Sequence, residues 1–154
     1  MFQVVLYRPE IPPNTGNIIR LCANTGADLH LVHPLGFAMD DTRLRRAGLD
    51  YHEYAKVNEH PDFEAYLEAA RPERVFATSG RGRKRYSEVT YREGDALLFG
   101  PESVGLSGHI LGHEGVTETL RIPMLPDRRS LNLSNAVAIV LFEAWRQLAY
   151  GGGV

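Results

Sequence analysis

Cysteine is nearly absent: Cys22 is the only one in 154 residues, which excludes an intrachain disulfide and a thiolate metal cluster. No apolar run approaches the roughly 20 residues that a membrane helix needs. The first residues, Met1-Phe2-Gln3-Val4-Val5-Leu6-Tyr7, carry no basic segment and no small-residue cleavage site, so no secretory signal is read there. No internal repeat, low-complexity segment or linker occurs, apart from the terminal Gly151-Gly152-Gly153-Val154. Two common nucleotide signatures are also missing. No Gly-Lys-Ser/Thr is present, so there is no Walker loop, and Gly80-x-Gly82 lacks the third glycine of a dinucleotide fingerprint because Arg85 holds its place. A cytoplasmic protein without metal is expected.

What is present is ordinary. With 44% hydrophobic and 23% charged residues, the chain is neither disordered nor fibrous. One domain over residues 1–154, with one substantial core, is expected. The formal net charge of −2 argues mildly against nucleic acid, but phosphate contacts are local and distribution outweighs the sum. Arg43, Arg45 and Arg46 form one basic cluster, and Arg81, Arg83, Lys84 and Arg85 form another. Solvated faces and RNA-binding surfaces both account for them.

Short apolar strands alternate with helical stretches. Phe2–Tyr7 reads as a strand, followed by the stiff Pro9, Pro12 and Pro13. Asn14 or Thr15 is expected to cap a helix carrying Ile18, Ile19 and Cys22, which Gly26 ends. Leu29–Val32 is a second strand. Asp40 or Asp41 starts a helix stopping near Gly48, and Pro61 opens another through Phe63, Tyr66 and Leu67. Arg74–Ser79, Ala96–Phe99 and Leu120–Ile122 are further strands, and a helix over about Asn132–Tyr150 is apolar nearly all round. The alternation predicts an α/β fold, a mostly parallel sheet with helices on both faces. The last helix needs cover beyond its own sheet, which core packing or a homodimer would supply.

Three turns follow strands, where parallel α/β sheets bind ligands. They are Thr78-Ser79-Gly80-Arg81-Gly82, Gly100-Pro101-Glu102-Ser103-Val104-Gly105-Leu106, and Ile122-Pro123-Met124 leading to Arg129-Ser130-Leu131-Asn132-Leu133-Ser134-Asn135. Ser130 or Asn132 can cap the last helix, and the same helix start can hold a polar ligand. His109 and His113 have i, i+4 spacing, but glycines interrupt the segment and no further ligand stands out. No Gly-x-Ser-x-Gly elbow marks a hydrolase.

Ile11-Pro12-Pro13-Asn14-Thr15-Gly16-Asn17-Ile18-Ile19-Arg20, Arg45-Arg46-Ala47-Gly48-Leu49-Asp50-Tyr51 and the second and third turns together closely resemble the TrmL-type, YibK-like tRNA (cytidine/uridine-34-2′-O)-methyltransferases of the SPOUT superfamily. The resemblance covers nearly the whole chain. It implies a SPOUT fold with a deep C-terminal trefoil knot, roughly over residues 75–150, and S-adenosyl-L-methionine as methyl donor. Thr78, Ser79, Gly100, Glu102, Ile122, Met124, Ser130 and Leu131 would line the donor pocket. Arg20 and Asn14 map to the family's catalytic region, and Arg43, Arg45, Arg46, Arg81 and Arg83 are the candidates for RNA contact. The implied substrate is the tRNA anticodon stem-loop, of leucine tRNAs, bound by a homodimer. An rRNA 2′-O-methyltransferase commonly carries an added N-terminal RNA-binding domain, for which this sequence shows no room. A non-catalytic RNA-binding protein of the same fold is opposed by the intact Asn14, Arg20, Glu102 and Ser130.

Overall fold

The computed structural model describes residues 1–45, 51–54 and 56–154. Among the described residues there are seven strands: β1 (Gln3–Tyr7), β2 (Asp28–Val32), β3 (Val57–His60), β4 (Val75–Thr78), β5 (Lys84–Arg85), β6 (Ala96–Phe99) and β7 (Glu118–Arg121). They form one sheet in the order β3-β2-β1-β6-β4-β7-β5, and every neighbouring pair is parallel. The helices are α1 (Pro12–Thr25), α2 (Thr42–Arg45), α3 (Tyr51–Tyr54), α4 (Phe63–Ala70), α5 (Gly108–Leu111) and α6 (Leu133–Gln147). No helix among the described residues is long and apolar enough to cross a membrane.

Alternation along the central strands divides the core in two. Val4, Leu6, Leu29, Leu31, Phe76, Leu97 and Phe99 pack with Ile18 and Ile19 of α1 and Val137, Val140 and Leu141 of α6. Val5, Val32, Val75, Ala77, Ala96 and Leu98 pack with Phe63 and Tyr66 of α4 and Ile110 of α5. Burial on both faces explains why β1 and β6 read as continuous apolar runs.

The edges depart from expectation. β3, Val-Asn-Glu-His, was not anticipated: it is an outer strand with an exposed middle, so it has no apolar pattern to announce it. The two-residue β5 closes the other edge. β4 is trimmed to Val75–Thr78 and β7 begins two residues earlier than expected. The helix after Asp41 begins at Thr42, and its expected end near Gly48 lies outside the described residues. α4 is capped by Asp62, whose side chain accepts from the Ala65 N–H, so Pro61 lies before the cap.

The start of α1 is the larger correction. Asn14 and Thr15 do not cap it but lie buried inside its first turns. The N-cap position is Ile11, which has no side-chain acceptor, and Pro12 and Pro13 follow it. The acceptor comes from 91 residues away: Glu102 receives the N–H of Glu10 at 2.8 Å and that of Ile11 at 2.7 Å. A carboxylate there also faces the positive end of the helix dipole. The α6 start follows the pattern expected for Asn132, whose side chain accepts from the N–H groups of Ser134 and Asn135; Ser130 lies outside the cap.

Glu102→Ala should therefore lower unfolding free energy by about 2 kcal/mol, because two amides lose a charged acceptor. An unaltered urea midpoint would dismiss the long-range cap. A second expectation concerns acid. His30, 8% exposed, bonds His60 through Nδ1 and Nε2 at 2.9 Å and packs edgewise on Tyr66. Burial, and then the neighbouring His60, push its pKa down to about 4, with Asp28 opposing slightly. The unfolded chain binds the extra proton between pH 6.5 and about 4, so this contribution is complete above pH 6.5 and fades as pH falls towards 4. His30→Leu should remove of order 2 kcal/mol of the acid-induced loss between pH 7 and 4.5. Parallel stability–pH curves for the two proteins would refute this.

Candidate functional site

Because β6, β4 and β7 are neighbours in the sheet, the loops leaving their carboxyl ends stand side by side. They enclose a crevice of about 360 Å³, within the range of small-molecule sites. All eight residues expected at a donor pocket line it: Thr78 and Ser79 after β4, Gly100 and Glu102 after β6, Ile122 and Met124 after β7, and Ser130 and Leu131 before α6. Phe99, Leu106, Leu133 and Ala136 supply apolar wall that was not among the residues expected at the donor pocket. Each of them is also a buried core residue, so nothing in the sequence separated wall from core.

The loop after β6 is drawn tight. The Gly105 N–H bonds the Pro101 carbonyl at 2.9 Å, and Gly105 takes the left-handed conformation at φ 69°. A Cβ on Gly100 would collide with the Leu106 backbone nitrogen and come within 2.6 Å of the Gly105 carbonyl carbon. Glycine at position 100 thus serves the loop's own fold. The loop after β4 is pinned differently: Ser79 donates its N–H to the Leu120 carbonyl, and a Cβ on Gly82 would stand 2.5 Å from the Leu120 carbonyl carbon.

A polar network ties these loops to α1. Besides the two backbone amides, Glu102 accepts from Asn14 Nδ2 at 3.3 Å. The Asn14 Oδ1 in turn receives Asn132 Nδ2 at 2.9 Å. Ser103 donates its hydroxyl and its N–H to Glu10, at 2.7 and 3.0 Å; those bonds hold the Glu10 carboxyl below its ordinary pKa. Residues from the start of α1, the loop after β6 and the start of α6 therefore share one network beside the crevice. The sequence named Asn14, Glu102, Ser103 and Asn132 within separate segments, gave no sign that they meet, and did not single out Glu10.

The remaining candidates are dispersed. Arg20, on α1, is not among the residues lining the crevice; its side chain is 45% exposed, with Nη2 3.7 Å from Glu53 Oε2. Arg43 is engaged by Asp41 through two contacts of 2.9 and 3.2 Å. The side chain of Arg45 and all of Arg46 lie outside the described residues. Arg83 is exposed on the loop after β4, whereas Arg81 lines the crevice itself. Cys22 is buried away from the crevice and its thiol is pushed up to about 12 by that burial, so it is no nucleophile. His113 lies beyond the end of α5, with Nδ1 accepting from the Gly115 N–H and Nε2 3.3 Å from Glu64. Among the described residues no three His, Cys, Asp or Glu side chains are grouped to hold a metal.

Comparison with known proteins agrees with this layout. Residues 1–142 match the model of the SpoU rRNA Methylase family. A tRNA (cytidine(34)-2′-O)-methyltransferase of Escherichia coli (strain K12) is 59% identical over all of this chain and 98% of its own. A solved structure concerned with the 2-OH methylation of cytidine or uridine 34 on tRNA superposes with a TM-score of 0.89 at 49% identity, covering 97% of both chains. The SpoU methyltransferase AviRb from Streptomyces viridochromogenes, solved with AdoMet, superposes at 0.81 with 27% identity over 97% of this chain and 61% of its own. This chain belongs to the SpoU methylase family, among its tRNA (cytidine(34)-2′-O)-methyltransferases.

Proposed function

We propose that this protein transfers the methyl group of S-adenosylmethionine to the ribose 2′-oxygen of the wobble nucleotide, cytidine or uridine 34, in tRNA. The observation that carries the reading is the meeting of all eight donor-pocket residues in one crevice at the carboxyl ends of β4, β6 and β7. Its apolar wall and polar loops fit an amino-acid nucleoside in size and character. S-adenosylmethionine supplies an electrophilic methyl on a sulfonium. Thr78, Ser79, Gly100, Glu102, Ile122, Met124, Ser130 and Leu131 hold it, with the loop backbone at Gly100 and Ile122 bonding the adenine or ribose. Ser130, Leu131, Leu133 and Ala136 line the crevice together with the loops after β4 and β6, which supports a trefoil knot over roughly residues 75–150. The whole chain acts as one methyltransferase domain.

Transfer requires the 2′-oxygen in line with the methyl–sulfur axis, and alignment alone contributes several kcal/mol (~7–11 for ideal cases). Arg20 binds an RNA phosphate and polarises the 2′-OH. It does not serve as the base, since a guanidinium holds its proton too firmly to accept another. Asn14, with both polar ends of its amide engaged, positions the α1 start. Arg20 lies outside the crevice of its own chain, which supports a homodimer in which α1 serves the partner's donor. Phe142 and Tyr150, 41% and 44% exposed and each packed on Trp145, offer α6 surface for a second copy. Exposed Arg83, with Arg43, Arg45 and Arg46, receives the anticodon stem-loop. The substrate RNA places the reaction in the cytoplasm, and the family resemblance points to leucine tRNAs.

Incubation with labelled S-adenosylmethionine and total tRNA should place label on the ribose of nucleotide 34; label on a base, or in rRNA alone, refutes the activity. Arg20→Ala should abolish turnover while keeping donor affinity. Gly100→Ala should lose donor affinity, since its Cβ collides with the Leu106 backbone. Refolding the two inactive variants together should restore part of the activity through mixed dimers, and a mixture that stays inactive would sink the shared site.

A further inference from the structure

We infer that Arg81 receives the carboxylate at the amino-acid end of the methyl donor, so that one guanidinium gives the crevice its preference for a donor carrying that acid. The inference rests on the function proposed above and adds a role for a residue that sequence reasoning assigned to RNA. Among the described residues, Arg81 is the only cationic side chain lining the crevice. Among the same residues it forms no ion pair, in contrast to Arg43 on Asp41.

Its backbone is fixed at the crevice lip. Arg81 N donates to Ser79 Oγ at 3.1 Å and Gly82 N to the Ser79 carbonyl at 3.1 Å, while Gly82 is pressed against β7. The side chain crosses from this loop towards α5, where Nη1 lies 3.8 Å from the place a Cβ on Gly108 would occupy. The head group thus lies beside the turn that follows Leu106, another lining residue. Glu102, the one carboxylate in the lining among the described residues, already receives two backbone amides and the Asn14 amide. Among the described residues no acid in the crevice competes for Arg81. An arginine fork matches a carboxylate with two parallel hydrogen bonds, and S-adenosylmethionine carries one carboxylate, at the end remote from the adenine.

The experiment is calorimetry on the intact protein with two probes differing only in that group, S-adenosylmethionine and its decarboxylated form. Wild type should bind the acid about tenfold more tightly or better. Arg81→Gln should bind both equally, at the weaker level, and Arg81→Lys should recover part of the preference. Binding of tRNA without donor should be unchanged. Equal loss for both probes, or no loss for either, overturns the inference. So does a variant that weakens tRNA alone, which would make Arg81 a phosphate contact. If wild type binds neither probe, the donor site itself is refuted; if wild type binds both alike, the site stands and only the role of Arg81 falls.

Discussion

Everything distinctive in this molecule depends on one carboxylate crossing from the loop after β6 to the start of α1. A helix beginning Ile11-Pro12-Pro13 has no local acceptor for the amides just before it, and the prolines offer no donors of their own. Glu102 meets the Glu10 and Ile11 amides at 2.7–2.8 Å, and Ser103 returns the favour by donating to Glu10. The pairing is reciprocal, each segment supplying an acid and amide donors to the other. Such a lock fixes direction as well as distance, because a carboxylate accepting two amides has one favourable orientation. Asn14 and Asn132 extend it to the cap of α6.

The crevice inherits its shape from that lock. Three loops at neighbouring strand ends would enclose space in any parallel sheet. Here the loop after β6 is held by α1 on one side, and by contact between Gly100 and the Leu106 backbone within itself. The last segment is fixed where Asn132 caps α6 while reaching Asn14. A site assembled from such pieces is formed before any ligand arrives, so binding loses less to ordering of loops.

The central architecture was legible in the sequence because burial left a signal. β1 and β6 are apolar throughout, Gly26 ends α1 in the left-handed conformation, and Asn132 stands where a cap belongs. The three turns could be picked out because each follows a strand. The edges were not legible: β3 has polar, exposed residues at its centre and β5 has only two residues. The α1 start was misread for a sharper reason. Local rules assign a cap to the nearest Asn or Thr, whereas the acceptor lies 91 positions along the chain. Arg81 and Arg83 show the same limit. They sit two positions apart in a basic run, yet only the first lines the crevice, and the bend that separates them exists only once Gly82 packs on β7.

The way Glu102 is occupied also bears on catalysis. Methyl transfer from a sulfonium erases a positive charge, so an uncompensated carboxylate beside the sulfur would stabilise the ground state more than the transition state and slow the reaction. Glu102, the only acid in the lining among the described residues, is turned to the start of α1, where amides and the helix dipole absorb its charge. The crevice thereby keeps an acid that its architecture requires without presenting it to the charge that must vanish. An amide at that position would still accept one hydrogen bond, but it would set an N–H donor against a backbone donor and break the lock. Structure and reaction therefore constrain position 102 together: an anion is needed there, and its charge has to be spent on α1.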